Sequence, residues 1–101
     1  MQNGLRTFIF LMAGDSMNDG TVNSIADGDF VRAVLSNPDE LEPDKKYVIE
    51  HHDGGFYICV IHRSYNGQLY CFYLNPEHGR FEMPVADVKA IYRIKLIERN
   101  G

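Results

Sequence analysis

Two apolar-rich runs, residues 56–63 and 68–74, stand on either side of Ser64-Tyr65-Asn66-Gly67. Asn-Gly suits a two-residue turn with positive φ at both central positions, and that turn twists in step with its flanking strands. The spacing therefore predicts a β-hairpin with Tyr65 opposite Gln68, His62 opposite Cys71 and Val60 opposite Tyr73. Side chains alternate between the two faces of a strand. In that register Phe56, Ile58, Val60 and His62 share a face with Leu69, Cys71 and Tyr73. Cys59 falls on the other face with Tyr57, Ile61, Tyr70 and Phe72, which disfavours a Cys59–Cys71 disulfide. Both faces are largely apolar, so the hairpin is expected to be covered on both sides.

The remaining segments are read the same way. Residues 5–12 form an apolar run rich in Phe and Ile, too short for a helix, that ends at Gly14. Residues 13–28 make a long polar loop, and 29–35 a second strand. Residues 36–45 hold Pro38, Pro43 and a cluster of acids, so they form a surface loop with one helical turn at 38–41. Residues 46–51 are a third strand, Asp53-Gly54-Gly55 a turn, and 88–97 the last strand. The chain has 101 residues, 45% of them hydrophobic, enough for one core. Its expected class is mainly β, one domain over 1–101 built of twisted antiparallel strands and hairpins.

Composition removes several functions. Ten basic residues against fourteen acidic ones give a net charge of −4, with no basic tract interleaved with aromatics. Affinity for phosphates comes chiefly from Lys and Arg, so this chain is not expected to touch DNA itself. No run approaches the roughly 18 apolar residues of a membrane span. The first four residues lack the basic and apolar regions of a secretory leader. Two cysteines make no disulfide framework, and a reducing cytoplasm is the expected location. Gly54-Gly55 precedes a strand, not a helix, so no phosphate-cradling loop is expected and no cofactor is implied.

Chemistry enters at Gly14-Asp15-Ser16-Met17, which follows the first strand, and at Asp27-Gly28-Asp29 ten residues on. A serine hydroxyl attacks only if a base takes its proton and donors receive the developing oxyanion. A turn that leaves a strand can hold such a serine, with the backbone N–H groups of Ser16 and Met17 as the candidate oxyanion donors.

The string Phe10-Leu11-Met12-Ala13-Gly14-Asp15-Ser16-Met17, with Ile25-Ala26-Asp27-Gly28-Asp29-Phe30-Val31, resembles the nucleophile region of the S24 peptidase family. That family contains the C-terminal domains of SOS-response repressors, phage repressors and mutagenesis polymerase subunits. Gly55-Phe56-Tyr57-Ile58-Cys59-Val60, Leu74-Asn75-Pro76-Glu77 and Val88-Lys89-Ala90-Ile91-Tyr92-Arg93-Ile94 extend the resemblance, so that it covers residues 8–98. It implies a LexA/signal-peptidase-like β fold that commonly forms homodimers. It also implies a Ser–Lys dyad that cuts the chain between this domain and an upstream DNA-binding domain.

The lysine is missing. Aligned on Gly55 without gaps, Val60 stands at the position of the base; sliding by two residues puts His62 there. The four lysines, Lys45, Lys46, Lys89 and Lys95, all lie outside that strand. His62 has two readings: a strand histidine bonded to solvent or backbone, and a substitute base. An imidazole with an ordinary pKa of about 6.5 can act as a general base, but His62 is displaced from Val60 by roughly 7 Å along the strand. The family's Ala-Gly cleavage site is also absent, because the one Ala-Gly pair, Ala13-Gly14, abuts the nucleophile. No cleavage within this chain is expected.

Other constellations carry less. His51 and His52 point to opposite faces of a strand, so one metal cannot readily take both, and no metal site is expected. The cysteines read as small buried hydrophobes. Two functions remain. One is a domain of a phage-repressor or SOS-type transcriptional regulator that has lost its dyad and persists for dimerisation or sensing. The other is a self-cleaving serine peptidase with Ser16 as nucleophile and His62 or another base.

Overall fold

The computed structural model describes residues 6–100. Residues 1–5 and 101 lie outside it, including Leu5 of the expected first strand and the start read above for a leader. Seven strands form one antiparallel sheet: β1 (Thr7–Leu11), β2 (Phe30–Ser36), β3 (Lys45–His51), β4 (Phe56–Tyr65), β5 (Gln68–Phe72), β6 (Arg80–Pro84) and β7 (Val88–Glu98). Their spatial order is β1-β2-β7-β3-β4-β5-β6, so the last strand inserts between the second and third. No described residue lies in an α-helix; the only helical turns are short 3-10 turns such as Pro38–Glu40 and Pro76–His78. The mainly β class expected from the sequence holds. β6 is the strand that the sequence reading lacked, because Arg-Phe-Glu-Met-Pro has too little apolar run to announce itself.

Local chemistry explains the elements. Asn66 and Gly67 take φ of 53° and 78°, as the two-residue turn demands, and Tyr65 pairs with Gln68. Asn37 and Asn75 each precede a proline and accept a hydrogen bond from the N–H two residues on (2.9 and 3.0 Å), which starts each 3-10 turn. β3 has Tyr47, Val48 and Ile49 buried in succession, because it lies inside the sheet with side chains covered on both faces.

The expected hairpin register is right beside the turn and wrong beyond it. Arg63 pairs with Tyr70, but Ile61 pairs with Cys71 and Val60 with Phe72, so His62 is the extra residue of a β-bulge. One inserted residue exchanges the faces of everything upstream. Cys59 and Ile61 join Leu69 and Cys71 on one face, while Ile58 and Val60 lie with Phe72 on the other. The two cysteines therefore share a face, contrary to the unbulged register, and both are free thiols. The physical reason is burial: without the bulge, Cys59 and Ile61 would follow Arg63 and Tyr65 onto one side.

Each face carries its own core. The first cluster holds Val31, Ala33, Val48, Val60 and Tyr92 from the sheet, with Met12 from the exit of β1 and Met17 and Ile25 from the 13–28 loop. The second holds Tyr47, Ile49, Cys59, Ile61, Leu69, Cys71, Met83 and Ile91. The loop after β1 is thus a lid on the first core as well as the bearer of the serine.

Candidate functional site

The serine turn is built by the motif itself. Met12 donates its N–H to the carbonyl of Asp29 and its carbonyl accepts from Gly28 N–H, both at 2.8 Å, so the two ends of the loop are clamped together. Gly28 has φ of +90°, and a Cβ there would stand 2.6 Å from the Asn100 side-chain nitrogen. Asp27 accepts the Gly14 N–H at 2.7 Å. Asp29 is buried and accepts from the N–H groups of Asn100 and Ala26 (both 2.9 Å) and from Arg99 (3.1 Å). Those backbone bonds, from Asn100 first, hold its carboxyl below the ordinary value. The two aspartates of Asp-Gly-Asp are therefore scaffold, and neither reaches the serine.

Asn18 donates to the carbonyl of Asp15 at 3.0 Å and closes a turn with Ser16 and Met17 at its centre. Met17 is anchored in the core and its carbonyl accepts from Ile25 N–H at 2.9 Å. Among the described residues, neither the Ser16 nor the Met17 N–H donates to an acceptor, so both candidate oxyanion donors are unspent. Ser16 is half-buried at the edge of a cleft of about 530 Å³. The rest of that cleft is Ile9, Phe10, Leu11, Met12 and Ala13 from β1 and its exit, Phe56, Tyr57 and Ile58 from β4, and Tyr73.

The candidate bases are not in it. Val60 is 3% exposed and packs in the first core beside Met12 and Met17, while Ile58 and Phe56, earlier on the same face of β4, line the serine's cleft. His62 is exposed at the bulge, hydrogen-bonded through Nδ1 to Asp44 Oδ1 at 2.7 Å, and does not line the cleft. The structure thus brings Ser16 and Met17 together and leaves His62 apart. No lysine lines the cleft either.

One histidine absent from the sequence argument does approach. The turn after β5 docks onto the serine turn: Asn75 N–H donates to the Ser16 carbonyl at 2.9 Å, and Asn75 Nδ2 donates to the Asp15 carbonyl at 3.1 Å. His78 then places Nε2 2.7 Å from Asp15 Oδ1, and its ring stands edge-on to Tyr73, centroids 6.1 Å apart. The imidazole is bonded to the residue next to the nucleophile, and among the described residues the Ser16 hydroxyl itself makes no hydrogen bond. The contact spans sixty-odd residues and no local signal foretells it.

The thiols are buried in the second core. Cys59 and Cys71 are buried, and a hydrogen bond between the two thiols, together with burial, raises Cys59 well above the ordinary cysteine value. Cys71 faces Ile61 and not His62 across the hairpin, so no thiol–imidazole pair forms. Among the described residues no three His, Cys, Asp or Glu side chains converge as a metal-binding set, and no helix is long and apolar enough to cross a membrane. In comparisons with known proteins, no family model matches the chain and no curated protein matches its sequence.

Proposed function

We propose that this is an S24-peptidase-like domain without a working dyad, kept as the dimerisation or sensing half of a phage-repressor or SOS-type regulator. DNA would be reached through an upstream domain. The observation that carries this reading is the composition of the cleft: Ser16 stands on a turn with free N–H donors, but the other side chains that line its cleft, among them Phe10, Met12, Phe56, Ile58 and Tyr73, include no basic nitrogen. A hydroxyl without a base is a weak nucleophile, whereas an apolar cleft beside the edge strand β1 suits an extended peptide segment. Ile9 and Leu11 on β1, Phe30 on β2 and Leu96 on β7 are exposed apolar side chains of neighbouring strands, which supports an association surface there.

The second reading, an active serine peptidase, is favoured by one observation: the His78–Asp15 hydrogen bond beside Ser16. A ring turned from Asp15 toward the hydroxyl would supply the missing base. The two readings separate on labelling with a fluorophosphonate, which reports an activated serine. The expected result is no adduct on Ser16, with Ser16→Ala matching the wild type in melting temperature to within about 0.5 kcal/mol of stability and in association state. An adduct that disappears in both Ser16→Ala and His78→Ala would replace the binding module with a peptidase and name its base.

A further inference from the structure

A cleft of about 780 Å³, larger than the one at Ser16, lies over the β4–β5–β6 end of the sheet. Its lining includes His62, Arg63, Tyr70, Phe72, Arg80 and Glu82. The register puts five of these on one face, since Arg63 pairs with Tyr70, Tyr70 with Glu82, and Phe72 with Arg80. The sixth, His62, is the bulged residue.

Several features position these groups without using up their charge. The Arg63 guanidinium lies 5.1 Å from the Tyr70 ring and 5.2 Å from the Tyr65 ring. Stacking of that kind fixes the planar fork while leaving its N–H donors free. Arg32, Arg93 and Arg99 each have a carboxylate partner, but among the described residues Arg63 and Arg80 have none. Asp44 sits in the left-handed region (φ 62°), donates its N–H to the carbonyl of Ile61 at 2.8 Å and holds His62 Nδ1. A bulge and a strained turn thus both serve to orient one imidazole whose other nitrogen is free. Bulges that re-aim a side chain concentrate next to functional sites.

Two unpaired guanidiniums suit the oxygens of a phosphate, which takes two parallel hydrogen bonds from each fork. The faces of Tyr70 and Phe72 suit a flat ring, on which bases stack regardless of sequence. Glu82, on the same face, can accept from a ring or amino N–H. The volume is that of a small-ligand site, and the net charge of −4 opposes a long polyanion track while leaving this local cluster intact. We propose that this cleft is a nucleotide site, with the phosphate on Arg63 and Arg80 and the base against Tyr70 and Phe72. The nucleotide is either free or one unit of a single strand. The proposal is independent of whether Ser16 is active.

The test is an amide NMR titration of the full chain with AMP, GMP, CMP and UMP, their nucleosides, inorganic phosphate and a short single-stranded oligonucleotide. A monophosphate is expected to saturate with shifts at residues 62–63, 70–72 and 80–82, and to bind roughly tenfold or more tightly than its nucleoside or phosphate alone. Arg63→Ala and Arg80→Ala should each weaken it by about tenfold or more, Arg63→Lys should not restore it, and Ser16→Ala should leave it unchanged. Arg80 makes no stacking contact, so its variant carries the test if loss of the Arg63 stack lowers the melting temperature. Tighter binding of the oligonucleotide than of the monophosphate assigns a strand as the source, and weaker binding assigns the free nucleotide. The proposal is overturned if no nucleotide shifts these amides, if phosphate alone binds as well (an adventitious ion only), or if both arginine variants bind undiminished.

Discussion

Tyr73 borders two clefts that share little else. On one side Ser16 stands on a motif-built turn, held by bonds within the 12–29 loop and by Asn75, His78, Arg99 and Asn100, and the walls of its cleft are apolar. On the other side no motif is present, yet His62, Arg63, Arg80 and Glu82 meet over two aromatic rings. The contrast separates two things that a sequence motif can encode. Gly14, Asp27, Gly28 and Asp29 encode the shape of a turn, and they do so here beside a cleft whose lining holds no basic side chain. Charged side chains from β4 and β6, with aromatic rings from β5 between them, encode a recognition surface only once the sheet has set their register.

Lysine scanning of β4 breaks the first half of that contrast most sharply. Val60→Lys buries an ammonium among Met12, Met17 and Val48 with no carboxylate at hand, and should cost about 3–5 kcal/mol in urea unfolding. Ile58→Lys places the same charge in the open cleft beside Ser16 and should cost clearly less. If Val60→Lys proves the milder of the two, Val60 and not Ile58 is the residue open to the serine's cleft. Gly28→Ala tests the loop clamp: positive φ and the approach of Asn100 should lower stability by about 1–2 kcal/mol, with no effect on nucleotide shifts.

Acid sharpens the same distinction. Bonds from Thr21 and Ser24 lower the Asp19 carboxyl from 3.8 to about 2, and Asp29 is lowered by the Asn100 and Ala26 N–H groups. A carboxylate whose folded pKa is depressed adds stability that is fully present above its unfolded value and is lost as pH falls through the folded one. The melting temperature should therefore be level above about pH 5 and fall between about pH 4 and 2, with the fall shallower in Asp19→Asn. A fall centred near pH 6 would show that histidines, and not the loop carboxylates, govern it. The smallest effect is expected from His78→Ala, about 0.5–1 kcal/mol for a partly exposed ion pair. Its value lies in pairing it with Ser16→Ala, because coupling between the two in fluorophosphonate labelling would tie the histidine to the serine.

Much of the fold was legible along the chain. Asn66-Gly67 announced its hairpin, Pro38 its turn, and the apolar runs their strands, because each signal is a local backbone or burial preference. β6 stayed hidden: its Arg80, Glu82 and Pro84 read as a loop, and it becomes a strand only by pairing with β5. The bulge at His62 was equally silent, and with it went the faces of Cys59, Ile61 and the register opposite Cys71. At the serine, the turn and its two N–H groups could be placed from the motif, whereas the β4 residues that line its cleft, Phe56 to Ile58 and not Val60, could not. That outcome depends on how the 13–28 loop packs against β4, and no property of either segment alone contains it.

By itself, then, the sequence determined that this chain is a β sheet with a hairpin at Asn66-Gly67, a glycine-framed serine turn and no lysine in the strand after Gly55. These are consequences of side-chain period, φ preference and composition, which act within a few residues. The tertiary structure decided which residues meet: Ile58 and Tyr73 around Ser16, His78 against Asp15, Arg63 and Arg80 over a shared aromatic floor. Such meetings follow from strand order and register, and one extra residue at a bulge is enough to exchange every neighbour on both faces.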